Sequence, residues 1–544
     1  MSSFQGSRSD STRDADAAFA GDFTFDSIVL SVKGAARHVK FMYYFAPLLT
    51  EYYGASMRIT SAGASLLEET GNEDDADAER HRLWDLKHEE MAPHIANLYR
   101  QMGGMHCKAA QYFATQGILL PKPMVDAFHT TFEDMPERAW EEIEKEIMDS
   151  LKNVQKVTSH KGTWAYFRSL QRKPLAAASI GQTHRAKLWT DVDVVVKVLY
   201  ADSQETLKQD LQDARQAAML ADSLLELGLK GTINRIMDEM DENFPNETNF
   251  KNELAYMDRA AGIFLQRGIN IKMAEPYRPF CGERVLTSSF MTGTTFSKFQ
   301  GRVLPLEQRR AAHAALLQVI DGVGQMMLHT GFFHADTHPG NVMLMDDGSP
   351  GLIDFGQCAE LTTEQRLFLC RLILLMNTRS VALVGEAVSK GGFTFNTNNR
   401  DMQVALMYMF FDSSHKLPEA IPKDLVQLLR HYIAHDVTKL PILTDIPKEV
   451  VFFGRVIGSF RKCLETIEVD ESVISLWSKH ARQALLEQRG ATSPWTTGPM
   501  PRNSSACLTP DLDLSLESPD VQTELLLALP ATAEGCAILE RMLR

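Results

Sequence analysis

Cysteines paired at metal-ligand spacing are missing from this sequence. Its seven cysteines stand at 107, 281, 358, 370, 463, 507 and 536, odd in number and with no C-x-x-C among them. That pattern argues against a disulfide framework or a structural zinc site and fits a reducing compartment. No uninterrupted apolar run reaches the length of a membrane span. The nearest, 366–385, is broken by Arg366, Arg371 and Arg379 and reads as a core helix. Positive charge is in deficit: 56 Lys and Arg against 70 Asp and Glu give a net charge of −14 and a pI near 5.6. This excludes a dedicated nucleic-acid binder as the first reading and leaves a locally basic cleft open. The first 22 residues hold four Asp against two Arg, the reverse of an Arg-rich, acid-poor transit peptide, and show no secretory pattern. There is no internal repeat.

What is present is an ordinary globular composition over 544 residues, 44% apolar and 23% charged, enough for a sizeable core and several domains. Residues 1–24 are small, polar and charged and read as disordered. Over 25–160 the pattern is helical. Met91, Ile95, Leu98, Met102 and Met105 recur at spacings of 4, 3, 4 and 3, one helix face. Residues 72–82 read as a charged solvated stretch or loop, and 133–151 as an amphipathic helix with Pro136 in its first turn. Between 161 and 293 the character changes. "AKLWTDVDVVVKVLY" (186–200) sets two β-branched or aromatic runs around "TDVD", a hairpin signature. Helices are expected at 203–226 and, entered after Pro245, at 241–268; a short strand is expected at 283–293, with a Gly at its exit. Residues 294–487 hold a long helix (306–331), a polar octet, a short strand "GLIDFGQ" and then mostly helix. Residues 488–544 read as a Pro/Ser-rich linker and tail. Helices, then a strand-bearing unit, then a helical unit make an α+β arrangement.

The octet "HADTHPGN" (334–341) lies between the apolar runs "MMLHTGFF" and "VMLM". Asp336 and Asn341 have four residues between them, and Asp354 follows 13 residues later inside "IDFG". A D-x4-N loop followed by DFG is the arrangement protein kinases use. Phosphoryl transfer needs a carboxylate near the attacking oxygen, and a second carboxylate plus an amide oxygen to hold Mg²⁺ against nucleotide phosphates. The bland alternative is a turn-capping Asp336 beside a core His334. Upstream, "VVVKV" (194–198) carries one Lys, Lys197, on an apolar strand. Such a Lys is costly there unless its charge is paired, and Glu253, on the expected helix, is the best partner. The alternative is a Lys snorkelling at a strand edge.

The glycine-rich loop of ordinary kinases is absent, and "PLAAASIGQTHRA" (174–186) stands in its place. With "VVVKV", "FFHADTHPGNVML" and "LIDFGQ", this stretch closely resembles the UbiB/AarF family of atypical kinases, the coenzyme-Q-associated kinase-like proteins. The likeness covers roughly residues 85–480. It implies a protein-kinase-like two-lobe fold with an N-terminal helical extension. It also implies binding of ATP or ADP with Mg²⁺, and roles in isoprenoid quinone (ubiquinone) biosynthesis or lipid homeostasis at organellar membranes. The family's K-x-G-Q motif corresponds to Lys108 and Gln111, with Ala110 where Gly is usual. Its Glu-x-Asp corresponds to Glu247, with Asn249 at the Asp position. Asn249 keeps an oxygen and loses the charge; it suits a metal ligand or a helix cap. Lys108, Gln111 and Glu247 are expected to gate the cleft. Ala176, Ala177 and Ala178 restrict the φ > 0 conformations that glycines give a phosphate loop, so the resemblance implies an altered hold on nucleotide and no ordinary protein kinase activity. The missing A-P-E after DFG points the same way.

The expected roles are then Lys197 and Glu253 as the ion pair, Asn341 and Asp354 on Mg²⁺, and Asp336 as general base or orienter of the nucleophile. Ser179 and Gln182 are either phosphate donors or turn residues, His338 a loop-fixing hydrogen-bonder, and Cys358 a small buried hydrophobe. The segment around Phe290, Met291 and Thr292 is expected to link the lobes, and its backbone to read the adenine edge. The expected acceptor is water or a small lipid-related molecule such as a quinone precursor, with peripheral membrane contact and partner proteins of a quinone-synthesis complex. A second reading is a catalytically weak pseudokinase that binds nucleotide and organises such a complex. The resemblance points to a mitochondrion or plastid; the acidic N-terminus does not support either, and a cytoplasmic location is the alternative.

Overall fold

Two long helices open the described chain, α1 (Phe25–Thr70) and α2 (Glu73–Met102). The computed structural model describes residues 25–115, 121–129, 137–225, 230–390, 393–395, 397–435, 443–445 and 448–488. The expectations for 1–24, and for the tail from 489 onward, lie outside these residues. The chain reverses at Gly71, whose φ of +65° suits glycine at a helix C-terminus. The helices run antiparallel, since Lys40 reaches the carbonyl of Gln101 while Lys87 pairs with Glu51. The acidic stretch at 72–82, expected as a charged solvated stretch or loop, forms the first turns of α2 from Glu73 on, where carboxylates are favoured by the helix dipole. Helix α2 stops because Gly103 and Gly104 both take positive φ. The expected face from Met91 to Met105 therefore crosses this break into α3 (Gly104–Thr115), with Met91, Leu98, Met102 and Met105 buried. Helix α4 (Lys122–His129) packs on α3 through Phe128 and Ala110.

Helix α5 (Trp140–Leu151) begins at Trp140; Pro136, expected in its first turn, lies outside the described residues. Its apolar face, Ile143, Ile147 and Leu151, is buried on a sheet. The strands are β1 (Phe167–Leu170), β2 (Ala176–Ala177), β3 (Gly181–Leu188) and β4 (Asp193–Leu199). β3 and β4 form the expected antiparallel hairpin. Period-2 alternation decides what β4 shows to each side: Val194, Val196 and Val198 are fully buried against α5, so Lys197 points to the opposite face.

Next come α6 (Ser203–Leu225), α7 (Lys230–Glu247) and α8 (Phe250–Arg267). The helix expected over 241–268 is two helices, and Pro245 lies inside the last turn of α7 rather than at an entrance. The Thr248 amide and hydroxyl both donate to the Pro245 carbonyl and close α7. Asn249 then caps α8 by accepting the Lys251 N–H at 3.0 Å. After β5 (Lys272–Met273), β6 (Val285–Ser289) joins β4, giving a five-stranded sheet of order β1-β3-β4-β6 with β2 on β3.

At Phe290–Thr292 the chain leaves this sheet for a second one of order β5-β10-β9-β7, made with β7 (Gly293–Thr295) and later strands. Helix α9 (Leu306–Gln325) runs into a π-helical turn, Met326–Thr330, ended by Gly331. β8 (Phe332–His334), β9 (Val342–Met345), β10 (Pro350–Leu352) and β11 (Cys358–Glu360) follow, with β8 paired to β11. The rest is mostly helical: α10 (Thr363–Asn377), α11 (Val381–Lys390), α12 (Arg400–Phe411), α13 (Lys423–His435), α14 (Lys448–Thr466) and α15 (Val473–Gln488). A small pair, β12 (Thr394–Phe395) with β13 (Leu443–Asp445), lies among them. Among the described residues no helix is long and apolar enough to cross a membrane.

One close contact in the helical half yields a prediction. A Cβ on Gly324 would stand 2.4 Å from the ring of Trp477, which is fully buried and donates its indole N–H to the Ile320 carbonyl at 2.7 Å. Ala in a helix is ordinarily favoured over Gly by about 1 kcal/mol, but overpacking a filled core costs about 1–3 kcal/mol. Gly324→Ala is therefore expected to lower stability by about 1–2 kcal/mol in urea unfolding; a gain would show that α15 yields at no cost.

Candidate active site

The site forms where the two sheets face each other. The Lys197 ammonium lies 2.7 Å from Glu253 Oε1 and 3.3 Å from Asp354 Oδ2. Glu253 occupies a position on the inward stripe of α8 that otherwise carries Phe250, Met257, Ala260 and Phe264. The same Glu253 oxygen accepts the Phe355 N–H at 3.2 Å. One carboxylate thus ties β4, α8 and the DFG segment together. Asp354 sits at φ +62°, a left-handed conformation uncommon for a residue other than Gly, and its Oδ1 accepts the Gly356 N–H at 3.2 Å. That turn leaves the carboxylate half-exposed toward the cleft.

The octet is fastened from several directions. Ala335 N–H donates to Gln357, and the buried Arg455 of α14 donates from Nε to the Ala335 carbonyl at 2.9 Å. His334, fully buried, accepts the Asp336 N–H on Nδ1 at 3.2 Å. Asn341 donates from Nδ2 to the Asp336 carbonyl at 2.9 Å, which leaves its Oδ1 as the ligand-type atom. His338 accepts the Gly340 N–H, the loop-fixing role expected of it. Lys108 of α3 stands 3.9 Å from Asp336 Oδ2, so the helical extension reaches the octet.

The alanine-rich segment is not an open loop. Ala176 and Ala177 form β2 in register with Thr183 and Gln182, and Ala178 N–H closes a tight turn on the Gly181 carbonyl at 2.8 Å. Thr183 in turn pairs with Lys197, so this hairpin edge lies two strands from the lysine. None of the three alanines takes a positive φ. Gly181 is required by packing, because a Cβ there would lie 2.5 Å from the Val198 carbonyl oxygen. Ser179 is buried in the turn. Gln182 is turned inward: its Oε1 accepts from the Arg138 N–H and the Tyr200 hydroxyl, and Nε2 meets His184. Gln182 thus lies on β3, with its side-chain amide engaged inside the protein.

Of the linking segment, Phe290 N–H donates to Asp193 and the Thr292 carbonyl accepts from Asp346. These two groups are committed inside the protein, which narrows the backbone available to a nucleobase to the Phe290 carbonyl, Met291 and the Thr292 N–H. Gln111 lies on α3 and Glu247 ends α7; their side chains are outside those described. Asn249 is a helix cap, as above. Ala110 sits against Phe128 with Ile95, Tyr99 and Val125 around it, so its methyl fills a helix contact.

Charge in the site is arranged for ionised carboxylates. Burial pushes Asp336 up, but His338, Lys108, Arg455 and His334 outweigh it and hold the carboxyl below the usual range. Burial likewise opposes ionisation of Asp354; Lys197, Lys108 and the Gly356 N–H outweigh it and hold it well below. Burial lowers Lys197, and its two carboxylate partners more than reverse this, so the ammonium stays charged. His334 is driven below its ordinary value, chiefly by burial, and stays neutral so that Nδ1 can accept. Among the described residues no three His, Cys, Asp or Glu side chains gather as a self-sufficient metal cage. One carboxylate, Asp354, and one amide oxygen, Asn341, suit a Mg²⁺ that takes its remaining ligands from phosphates and water. Arg455 escaped the sequence reading. A lone Arg on the apolar face of "VVFFGRVIGSF" was the available signal.

Residues 139–387 match the model of the ABC1 atypical kinase-like domain. The chain is 28% identical over 311 residues to the "Probable serine/threonine-protein kinase abkD" of Dictyostelium discoideum, covering 55% of this chain and 42% of that protein. It is 27% identical over 271 residues to the "AarF domain-containing kinase 1" of Drosophila melanogaster, covering 48% and 49%. The chain thus spans less than half the length of these curated relatives. The solved Rv3197–erythromycin complex from Mycobacterium tuberculosis aligns at 19% identity and a TM-score of 0.42, covering 67% of this chain and 89% of that one.

The electrostatics predict an acid dependence. A carboxyl whose folded value lies below its unfolded one contributes stability that is present above the unfolded value, near 3.8 for Asp, and lost as pH falls below it. Between pH 4 and pH 2 the wild type should lose more unfolding free energy than Asp354→Asn, followed by urea titration at each pH. Parallel loss in both proteins would show that Asp354 is not held low.

Proposed function

We propose that this chain, whose residues 139–387 match the ABC1 atypical kinase-like domain, is an atypical kinase of the UbiB/AarF type. It binds ATP or ADP with Mg²⁺ and transfers the terminal phosphoryl group to water or to a small, lipid-related acceptor. This would support isoprenoid quinone synthesis or lipid homeostasis at an organellar membrane, mitochondrial or plastid. The observation that carries the reading is the Lys197–Glu253–Asp354 triad with its shared Phe355 contact.

In this reading Lys197 holds nucleotide phosphates, and Mg²⁺, held by Asp354 and Asn341, supplies charge neutralisation along the phosphates. Asp336 is ionised and accepts or orients the acceptor hydroxyl. The Phe290–Thr292 backbone reads the base, and the β2–β3 turn at Ala176, Ala177, Ala178 and Ser179 borders the phosphates. Lys108, with Gln111 and Glu247, gates the cleft. The Lys108 ammonium stands 3.9 Å from Asp336 Oδ2, and this crowding beside the carboxylate supports a small acceptor. The same contact favours a second reading, a nucleotide-binding scaffold with weak turnover. Asn249 caps α8 and has that structural part under either reading.

The test is phosphate release from Mg·ATP by the whole chain, with and without phospholipid vesicles and a phenolic quinone-precursor mimic. Turnover that rises with lipid or phenol, and that falls at least about 100-fold in Lys197→Met and Asp354→Asn, supports the enzyme reading. Tight nucleotide binding with no turnover under any condition supports the scaffold. Turnover unchanged in Lys197→Met would remove the assignment of the lysine.

A further inference from the structure

Helix α1 is 46 residues long and has two apolar faces. The inner one, with Phe41, Tyr52, Ala55 and Ile59 buried, belongs to the packing against the rest of the protein. The outer one has no counterpart among the described residues. Stepping from Ala36 to Leu67 by alternate strides of three and four visits ten positions, every one exposed. All are Ala, Val, Tyr, Thr, Met or Leu, and none is charged. The large ones stand far out: Val39 is 66% exposed, Tyr43 74% and Met57 56%. Surface helix faces are ordinarily polar, so an uncharged outer stripe over the length of α1 calls for a cover.

The stride identifies the kind of cover. A 3.5-residue repeat drifts by about 20° per heptad on a straight helix and stays in line only when two helices wind around each other. A membrane surface asks instead for a broad face at period 3.6 with a basic rim. The seam runs for about 45 Å at 1.5 Å per residue, long enough for a stable helix pair. Its middle is slim: Ala46 and Thr50 let backbones approach, and the Thr50 hydroxyl is already bonded to the Ala46 carbonyl.

The rim identifies the partner. The positions flanking the seam are Ala35, Lys40, Met42, Pro47, Leu49, Gly54, Ser56, Ser61, Gly63 and Glu68. Only two of them are charged, with opposite signs and at opposite ends; Lys40 also donates to the Gln101 carbonyl of its own chain at 2.8 Å, and its other ammonium protons remain for a second acceptor. Two parallel copies would set each of them beside an uncharged residue of the partner, Lys40 by Ala35 and Glu68 by Gly63, and gain nothing. Two antiparallel copies bring Lys40 of each to Glu68 of the other. Flanking charges of this kind set partner choice and orientation in coiled coils. We propose that a second copy of this chain covers the seam, α1 against α1, antiparallel about a two-fold axis.

The experiment is sedimentation of the whole chain over a concentration series, with nucleotide binding and helix content as controls for folding. The wild type should be a dimer at high concentration. Tyr43→Glu with Met57→Glu should raise the dimer dissociation constant at least about 100-fold, with both controls unchanged because the two side chains are exposed. Lys40→Glu alone and Glu68→Lys alone should each weaken the dimer several-fold, and the two together in one chain should restore it. A monomer at every concentration would overturn the proposal and leave the seam to another protein, a membrane or the chain's own residues 489–544. A dimer indifferent to Tyr43→Glu and Met57→Glu would overturn it as well. Failure of the double charge swap to restore the dimer would overturn the antiparallel alignment.

Discussion

An ammonium inside an apolar sheet is the constraint on which the rest of this site depends. The valines that make β4 a core strand also force Lys197 onto the opposite face, and an unpaired charge there costs several kcal/mol. Two carboxylates from distant parts of the chain meet that cost: Glu253 from a helix and Asp354 from a turn. Glu253 is buried and would be a charge out of contact with water without the lysine, whereas Asp354 is half-exposed to the cleft. Because Glu253 also takes the Phe355 N–H, the three segments locate one another. The left-handed backbone at Asp354 is tolerated within that arrangement, and it turns the carboxylate toward the cleft.

Around this triad the octet is held by a second set of contacts, two made within it and one from a helix of the helical half. Arg455 grips the carbonyl before Asp336, a neutral His334 accepts the Asp336 amide, and Asn341 bonds the Asp336 carbonyl. Asp336 is thereby oriented by groups bonded to its backbone, and its side chain remains available for chemistry. The N-terminal extension adds Lys108 from a third direction. Its charge helps hold both Asp336 and Asp354 ionised, so the extension takes part in the electrostatics of the cleft.

Much of this was legible in the sequence because the chemistry left fixed spacings. D-x4-N, DFG and a lysine on a valine strand are local patterns, and Glu253 was found by asking what could neutralise Lys197. The ABC1 domain match over 139–387 agrees with the family read from those motifs. The misses share a cause: local signals were outweighed by neighbours. The acids at 72–82 looked like a charged solvated stretch or loop but suit the start of a helix whose other residues pack on α1. Pro245 looked like a helix entrance, yet the boundary was set by Asn249, whose capping amide satisfies an orphan N–H. Gln182 was read as either a phosphate donor or a turn residue, but it lies on β3, where Arg138 and Tyr200 draw it inward, and their proximity has no trace in local sequence. Arg455 was invisible for the same reason, being more than a hundred residues from the carbonyl it holds. The outer seam of α1 was not read from the sequence, because only the structure shows which of the helix's two apolar faces is left bare.

The central claim is that Lys197, Glu253 and Asp354 act as one unit that holds a nucleotide with Mg²⁺. Its most direct test is calorimetric titration of ADP, with and without Mg²⁺, into the wild type, Lys197→Met, Glu253→Gln and the Lys197→Met/Glu253→Gln double variant. The account predicts Mg²⁺-dependent binding to the wild type, a loss of at least about tenfold in affinity in each single variant, and a double variant little worse than either single. Equal affinity in all four proteins, or losses that simply add, would contradict it.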